Sequence, residues 1–249
     1  MIKLANVTVI FDNKHARSTV IDGLDLTIDK NDFVCLLGPS GCGKTTILNL
    51  IAGFVAPSSG EVQLSEKGIS RHFKTSFVFQ DHNIFPWKTV RQNIGLGMIS
   101  DTIGIDDKKM RIEKIANDVG LFEYLDEYPK SLSGGMRQRV GIARALVCQP
   151  DILLMDEPFA ALDALTAINT RQLLISLCKD YPATVIFVTH SIDEALELGD
   201  RVIVLSPKPM HILLDINLKS IGPNQDQPAY TRIRRRIYNT LTTSEVNGA

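Results

Sequence analysis

Phe33-Val34-Cys35-Leu36-Leu37-Gly38-Pro39-Ser40-Gly41-Cys42-Gly43-Lys44-Thr45 is the stretch on which the fold turns. Its first five residues are apolar without alternation, which suits a strand buried on both faces of a mainly parallel sheet. The next eight fit G-x-x-x-x-G-K-[ST], and the residues from 44 to 52 predict a helix. Strand, glycine-rich turn and helix in that order make a cradle for anions. Glycines let the backbone curl so that successive N–H groups face inward, and the helix adds the positive end of its dipole. In such a cradle Lys44 reaches terminal phosphates and the Thr45 hydroxyl ligates Mg²⁺, so the stretch predicts nucleotide binding. The competing reading is a glycine-rich turn beside a solvated lysine, and it leaves the strand-turn-helix context unexplained.

Outward from this core, residues 3–10, 20–28, 76–79, 152–155, 184–189 and 202–205 read as strands. Residues 108–119, 135–148, 164–179, 192–198 and 228–241 read as helices. Strands alternating with helices give an α/β chain. From 90 to 149 the reading is helical with no strand, which marks a helical subdomain inserted into the α/β core. The expected division is a core of residues 1–90 with 149–221, a helical subdomain 91–148, and a C-terminal helix and tail 222–249. Within the last, 222–227 reads as a linker and 242–249 as a frayed tail. No internal repeat is present, so two tandem copies of the unit are excluded.

Composition agrees. The 249 residues set a prior of one or two domains, and 44% hydrophobic with 22% charged residues describes an ordinary globular chain. Lys plus Arg is 27 against 28 for Asp plus Glu, so bulk electrostatics gives no reason to expect nucleic acid. The longest apolar runs, 152–155 and 183–188, fall far short of the ~20 residues of a membrane helix. The N-terminal MIKLANVTVI alternates like a strand and lacks the layout of a signal peptide, so neither a membrane span nor export by that route is expected. Cys35, Cys42, Cys148 and Cys178 form no CxxC pair and read as free thiols of a reducing compartment.

A nucleotide site with a metal needs a further carboxylate. The apolar strand 152–155 ends in Asp156-Glu157-Pro158, which delivers two acids to the sheet edge where α/β ligands bind. Asp156 suits Mg²⁺, directly or through water. Glu157, one residue further, suits polarising the attacking water. A solvated acidic turn is the plainer alternative.

Leu132-Ser133-Gly134-Gly135-Met136, followed by Arg137-Gln138-Arg139, resembles the signature motif of ABC-type ATPases. With the phosphate loop, Asp156-Glu157, Ala161-Leu162-Asp163 and His190, it reproduces the family's motif set in the family's order across roughly residues 2–210. The resemblance implies a P-loop NTPase (RecA-like) core with a mostly parallel sheet, an antiparallel β part at the N-terminus and the inserted helical subdomain. It also implies ATP and Mg²⁺, and a head-to-tail homodimer in which each ATP lies between one chain's phosphate loop and the other's signature motif. Ser133, Gly134 and Gly135 open a second anion-seeking helix start, and ATP bridging two copies satisfies both. The plainer reading is a helix N-cap by Ser131 or Ser133.

By the same resemblance Gly38, Pro39, Ser40, Gly41, Cys42, Gly43, Lys44, Thr45 and Thr46 hold the phosphates. Thr45, Gln80 and Asp156 face the metal, and Gln80 also relays nucleotide state to the partner. Glu157 and His190 act at the γ-phosphate together with Lys44 and Gln80, and Asp163 meets the opposite phosphate loop. Phe11 takes the place of the aromatic that stacks on adenine, where tyrosine is commoner. Each has a plainer alternative: a strand-end amide for Gln80, a helix cap for Asp163, a structural histidine for His190 and core packing for Phe11.

Ile84-Phe85-Pro86-Trp87 places large apolar residues in a loop after Gln80, and an exposed apolar patch marks an interface. In ABC transporters this region takes a coupling helix of the membrane subunit; burial under the helical subdomain is the alternative. The Phe-Pro-Trp run, 140–146 and 159–165 resemble importers of the nitrate, sulfonate, taurine and thiamine-precursor group. The expected partners are separate transmembrane permease subunits at Phe85, Pro86 and Trp87 and, indirectly, an extracytoplasmic solute-binding protein, with no nucleic acid. The expected location is the cytoplasmic face of the inner membrane, as a peripheral subunit. The rivals are a soluble ABC ATPase acting on DNA or ribosomes, an exporter subunit, and a metabolic P-loop kinase, against which residues 132–136 and His190 argue. The first lacks support, since 45–132 holds no sustained heptads and the chain has one ATPase unit. Arg232, Arg234, Arg235 and Arg236 with the stripe Tyr230, Ile233, Ile237 and Leu241 predict an amphipathic helix packed on the core with a solvated basic face. Contact with anionic lipid or an acidic partner loop is the alternative there.

Overall fold

The computed structural model describes residues 1–13, 16–66, 69–70, 73–81, 83–219, 221 and 228–247. In chain order they form β1 (Ile2–Asn13), β2 (Ala16–Ile28), β3 (Phe33–Leu37), α1 (Lys44–Ile51), β4 (Ser59–Glu66), β5 (Ile69–Ser70), β6 (Thr75–Val78), α2 (Val90–Gly95), α3 (Ile105–Asp118) and α4 (Gly134–Leu146). Then come β7 (Ile152–Asp156), α5 (Ala164–Asp180), β8 (Thr184–Thr189), α6 (Ile192–Leu198), β9 (Arg201–Leu205), β10 (Ile212–Asn217) and α7 (Pro228–Asn247). Short 3-10 turns occupy Leu96–Met98, Phe122–Tyr124 and Pro129–Ser131. The chain divides into two compact units, residues 1–73 with 184–249 and residues 74–183.

The first unit holds an antiparallel sheet in the order β2-β1-β4-β5 and the strands β10-β9-β3-β8. β3 runs parallel to β8 and β9, while β10 closes an edge antiparallel to β9. Every residue of β3 and β8 is buried, as their unbroken apolar runs require. β1 and β2 are longer than expected because their antiparallel pairing extends from Ile2↔Ile28 to Asn13↔Ala16, with register shifts between Leu4 and Ile10. β4 and β10 were not expected as strands. β4 holds Gly60 in the left-handed region at φ 81°, where a Cβ would lie 2.2 Å from Asn6 O, so its pairing with β1 fixes a sequence that alone looks like a turn.

α7 packs as the apolar stripe predicts: Ile237 is fully buried and the Tyr230 hydroxyl donates to Leu196 O at 2.6 Å. The helix does not stop at 241, and the expected frayed tail is helical to Asn247. Hydroxyls of Thr240, Thr242 and Ser244 donate back to carbonyls of Arg236, Tyr238 and Leu241, which satisfies these polar side chains within the helix. The expected linker 222–227 and the terminal residues 248–249 lie outside the described residues.

The second unit pairs β6 with β7 in parallel and carries α2 to α5. α3 begins before residue 108, at Ile105, because Asp106 and Asp107 complement the dipole of its first turn. α2 starts at Thr89, whose hydroxyl accepts from Gln92 N while the Gln92 side chain accepts from Thr89 N. α4 packs on the turn that follows α2 so closely that a Cβ at Gly97 would lie 2.0 Å from Arg144 O. We expect Gly97→Ala to cost about 3 kcal/mol or more in urea unfolding, since backbone cannot retreat as a side chain does. A loss below about 1 kcal/mol would mean that this turn and α4 separate easily.

Candidate functional site

In the first unit the phosphate loop leaves the buried end of β3. Gly38 is wedged: a Cβ there would meet Leu205 O at 3.1 Å and Cys42 Sγ at 3.2 Å. Gly41 and Gly43 have φ of 74° and 121°, a region that favours glycine. A Cβ at Gly43 would lie 2.8 Å from Val20 Cγ1. Val20 is an extra residue on β2, since Val9 pairs with Ile21 and Ile10 with Thr19. This β-bulge presses the antiparallel sheet against the loop.

Gly43 caps α1 without any side chain, whereas Thr89, Ser133, Asp163 and Ser191 cap α2, α4, α5 and α6 with oxygens. A helix start of that kind suits an incoming anion. Lys44 is only 4% exposed, and its Nζ donates to Gly38 O at 2.8 Å and Pro39 O at 3.0 Å. The solvated-lysine reading is thereby removed. Burial pushes the Cys42 thiol up from its usual range although the Lys44 charge opposes this. Ser40 and Thr45 are exposed, and Pro39 and Thr46 are half-buried.

His190 is exposed and follows directly on β8. β3 and β8 are in register to their ends, Leu37 opposite Thr189, so Gly38 and His190 leave the sheet at the same edge. The turn after His190 is braced: Thr189 Oγ1 donates to Glu194 Oε2 at 2.6 Å and accepts from Ser191 N at 3.0 Å. Phe11 is 40% exposed on β1, one residue past the bulge, so it is not a core residue.

In the second unit β7 ends at Asp156, and both Asp156 and Glu157 are half-buried. Glu157 has φ 43°, an uncommon conformation for a residue with a side chain. A tight turn fixes it, with Ala160 N donating to Glu157 O at 3.2 Å. β6 ends opposite β7, Val78 against Met155, so Gln80, two residues past Val78, leaves the sheet at the same edge as Asp156 and Glu157. Gln80 is exposed.

Asp163 does cap α5, accepting from Thr166 N at 3.0 Å, and that bond holds its carboxyl below the usual range. Ser133, and not Ser131, caps α4, accepting from Met136 N at 3.2 Å. Buried Gly135 brings the two helix starts together: a Cβ there would lie 2.4 Å from Thr166 Cγ2. The second unit therefore gathers Ser133, Gly134, Gly135 and Asp163 at one place.

Two residues escaped the sequence reading. Asn93 is fully buried on α2, with Oδ1 accepting from Phe85 N at 2.8 Å. Its Nδ2 lies 3.1, 2.9 and 3.0 Å from the carbonyls of Phe85, Lys88 and Thr89. Arg144 on α4 donates to Asn83 O at 2.6 Å, and burial lowers the pKa of its guanidinium. Held from behind in this way, the loop shows its apolar side outward. Phe85 is 38% and Trp87 69% exposed, with their rings edge to face at 5.4 Å. The expected burial alternative for this loop does not hold.

The sequence matches the family described as ABC transporter over residues 21–160. It is 42% identical over 220 residues to the taurine import ATP-binding protein of Rhizobium johnstonii, 88% of this chain and 84% of that protein. It is 36% identical over 239 residues to the aliphatic sulfonates import ATP-binding protein of Bacillus thuringiensis subsp. konkukian, 95% of this chain and 94% of that one. Among solved structures, a dimeric ATP-binding cassette in a post-hydrolysis state bound to ADP and Pi matches with a TM-score of 0.76 at 33% identity, over 88% of this chain and 99% of that chain.

Proposed function

We propose the function of this chain from one settled premise: it belongs to the ABC transporter family. It is the ATP-binding and ATP-hydrolysing subunit of an importer. A soluble ATPase acting on DNA or ribosomes is not favoured by its relatives.

The residue roles are our reading. Residues 38–46 cradle the phosphates, Lys44 exchanging its two carbonyl partners for phosphate oxygens, and Phe11 stacks on the adenine. Glu157 orients a water for attack on the γ-phosphorus and takes up its proton, while His190 steadies the γ-phosphate. Ser133, Gly134, Gly135 and Asp163 of a second copy close over the nucleotide, so that two chains enclose two ATP. The Thr45 hydroxyl, the Gln80 amide oxygen and the Asp156 carboxylate are hard oxygen donors of the kind Mg²⁺ takes. No group of three or more His, Cys, Asp or Glu side chains gathers among the described residues, which fits an ion that draws most of its ligands from phosphates and water. When bound, Mg²⁺ neutralises charge on the β- and γ-oxygens.

The observation that carries the transport reading is the loop after Gln80, apolar outward yet fixed from within by Asn93. A surface so built suits docking of a transmembrane permease subunit at Phe85, Pro86 and Trp87. We assign the chain to the cytoplasmic face of the membrane as a peripheral subunit, served by an extracytoplasmic solute-binding protein. We read residues 91–148 as the helical subdomain, 1–90 with 149–221 as the ATP-binding core, and 222–249 as the C-terminal helix and tail. The cargo belongs to the taurine, sulfonate, nitrate or thiamine-precursor class.

A mild-detergent pull-down of the tagged chain from native membranes tests this reading, and a polytopic membrane protein is the expected companion. Trp87→Ala should reduce that recovery by about tenfold or more, as truncation of a central interface tryptophan does. Equal recovery with Trp87→Ala would place the permease contact elsewhere. Recovery with ribosomes or DNA alone would overturn transport.

A further inference from the structure

We propose that Arg144 is the positioning residue through which α4 passes nucleotide closure at Ser133 to the loop that carries Trp87. The inference rests on the assignment of Ser133, Gly134 and Gly135 to ATP, and adds a route separate from Gln80.

α4 has Ser133, Gly134 and Gly135 at one end and Arg144 near the other, a span of about 16 Å at helical rise. Between them Gln138, Val140, Gly141, Ile142 and Ala143 are buried, so the helix is gripped along its length and moves as a body. At the far end two contacts couple it to the loop. The Arg144 guanidinium donates to Asn83 O at 2.6 Å. The Arg144 carbonyl abuts the backbone of Gly97, just beyond α2, and α2 supplies Asn93. Asn83 itself has φ 45°, so the loop turns sharply where Arg144 holds it. One helix thus ends on an anion-seeking face and on the base of an apolar docking loop. A closing force on Ser133 tilts α4 and pulls Asn83 through a charge-assisted bond.

Trp87 is the chain's single tryptophan, so its fluorescence reports this loop without a label. The test uses the full chain with Glu157→Gln to hold ATP, reading acrylamide quenching of Trp87 while nucleotide binding is measured separately with a fluorescent analogue. ATP is expected to change the quenching constant about twofold, as a largely exposed indole gains or loses cover. Adding Arg144→Met, which keeps much of the half-buried bulk and removes the donors, should leave ATP affinity within about threefold, because the sites are remote. The quenching change should then vanish. Arg144→Lys, with a cation but no planar fork, should restore part of it.

Bound ATP with no quenching change in the Glu157→Gln chain would overturn the proposal, as would a full change in Arg144→Met. Failure of both Arg144 variants to fold would assign the residue to stability alone and also overturn it. Absence of ATP binding in the parent chain would overturn the nucleotide assignment itself, a result distinct from bound ATP with a silent tryptophan.

Discussion

Glu157→Gln binds ATP as the parent chain does and hydrolyses it ~10²–10⁴-fold more slowly, the loss that follows removal of a positioned base. The substitution keeps the size and planarity of the side chain, so the tight turn that holds φ at 43° and the half-buried site stay as they are. What disappears is the ability to accept the proton of the attacking water. Phosphate release and equilibrium nucleotide binding, measured on the same preparation, separate the two effects. ATP that is bound and not hydrolysed should also hold two chains together, so the variant elutes as a dimer with ATP and as a monomer without it. Turnover within about threefold of the parent would move the base to another residue.

The parts of this protein that could be read from sequence are those whose chemistry is local. β3, β7 and β8 declare themselves because strands buried on both faces are near-continuous apolar runs, as residues 33–37, 152–155 and 185–188 are. The phosphate loop is legible because its glycines serve backbone angles that other residues rarely adopt, as Gly41 and Gly43 show. β4 and β10 are not legible. Both are short of fully buried positions, and β4 carries a glycine where β1 crowds it. Their strand character is imposed by a neighbour rather than by their own composition.

The site divides in the same way. Lys44, Asp156, Glu157 and Ser133 sit in motifs whose residue types are those that the chemistry of phosphate, metal and water calls for, so the sequence alone suggests roles for them. Asn93 serves the backbone of the loop just before its helix and Arg144 that of a loop far away in sequence, and a lone Asn in a short polar-and-apolar helix gives no sign of that. The one available hint was the Thr89-x-x-Gln92 capping box, which fixes where α2 begins and therefore that Asn93 lies within it. The strained angle at Glu157 was likewise invisible, because nothing in Asp156-Glu157-Pro158 distinguishes a tight turn from an open one.

Lys44→Ala should weaken ATP binding by about 100-fold or more. Lys44 is 4% exposed, and its ammonium donates to two neutral carbonyls, those of Gly38 and Pro39. Anionic phosphate oxygens are the better acceptors, since the ammonium then meets a full negative charge rather than the dipole of a carbonyl. A hundredfold loss requires this exchange to favour phosphate by about 2.7 kcal/mol net of the two carbonyl bonds given up, a size that a close ion pair at reduced dielectric reaches. The same substitution leaves the Gly38 and Pro39 carbonyls without that donor, so the nucleotide-free form should lose about 1–3 kcal/mol of stability. The two losses are of similar size, so denaturant unfolding without ATP reads the one and a titration with a fluorescent nucleotide reads the other. Affinity unchanged in Lys44→Ala would show that the ammonium stays on Gly38 and Pro39 when ATP arrives. The cradle would then hold phosphate by backbone and helix start alone.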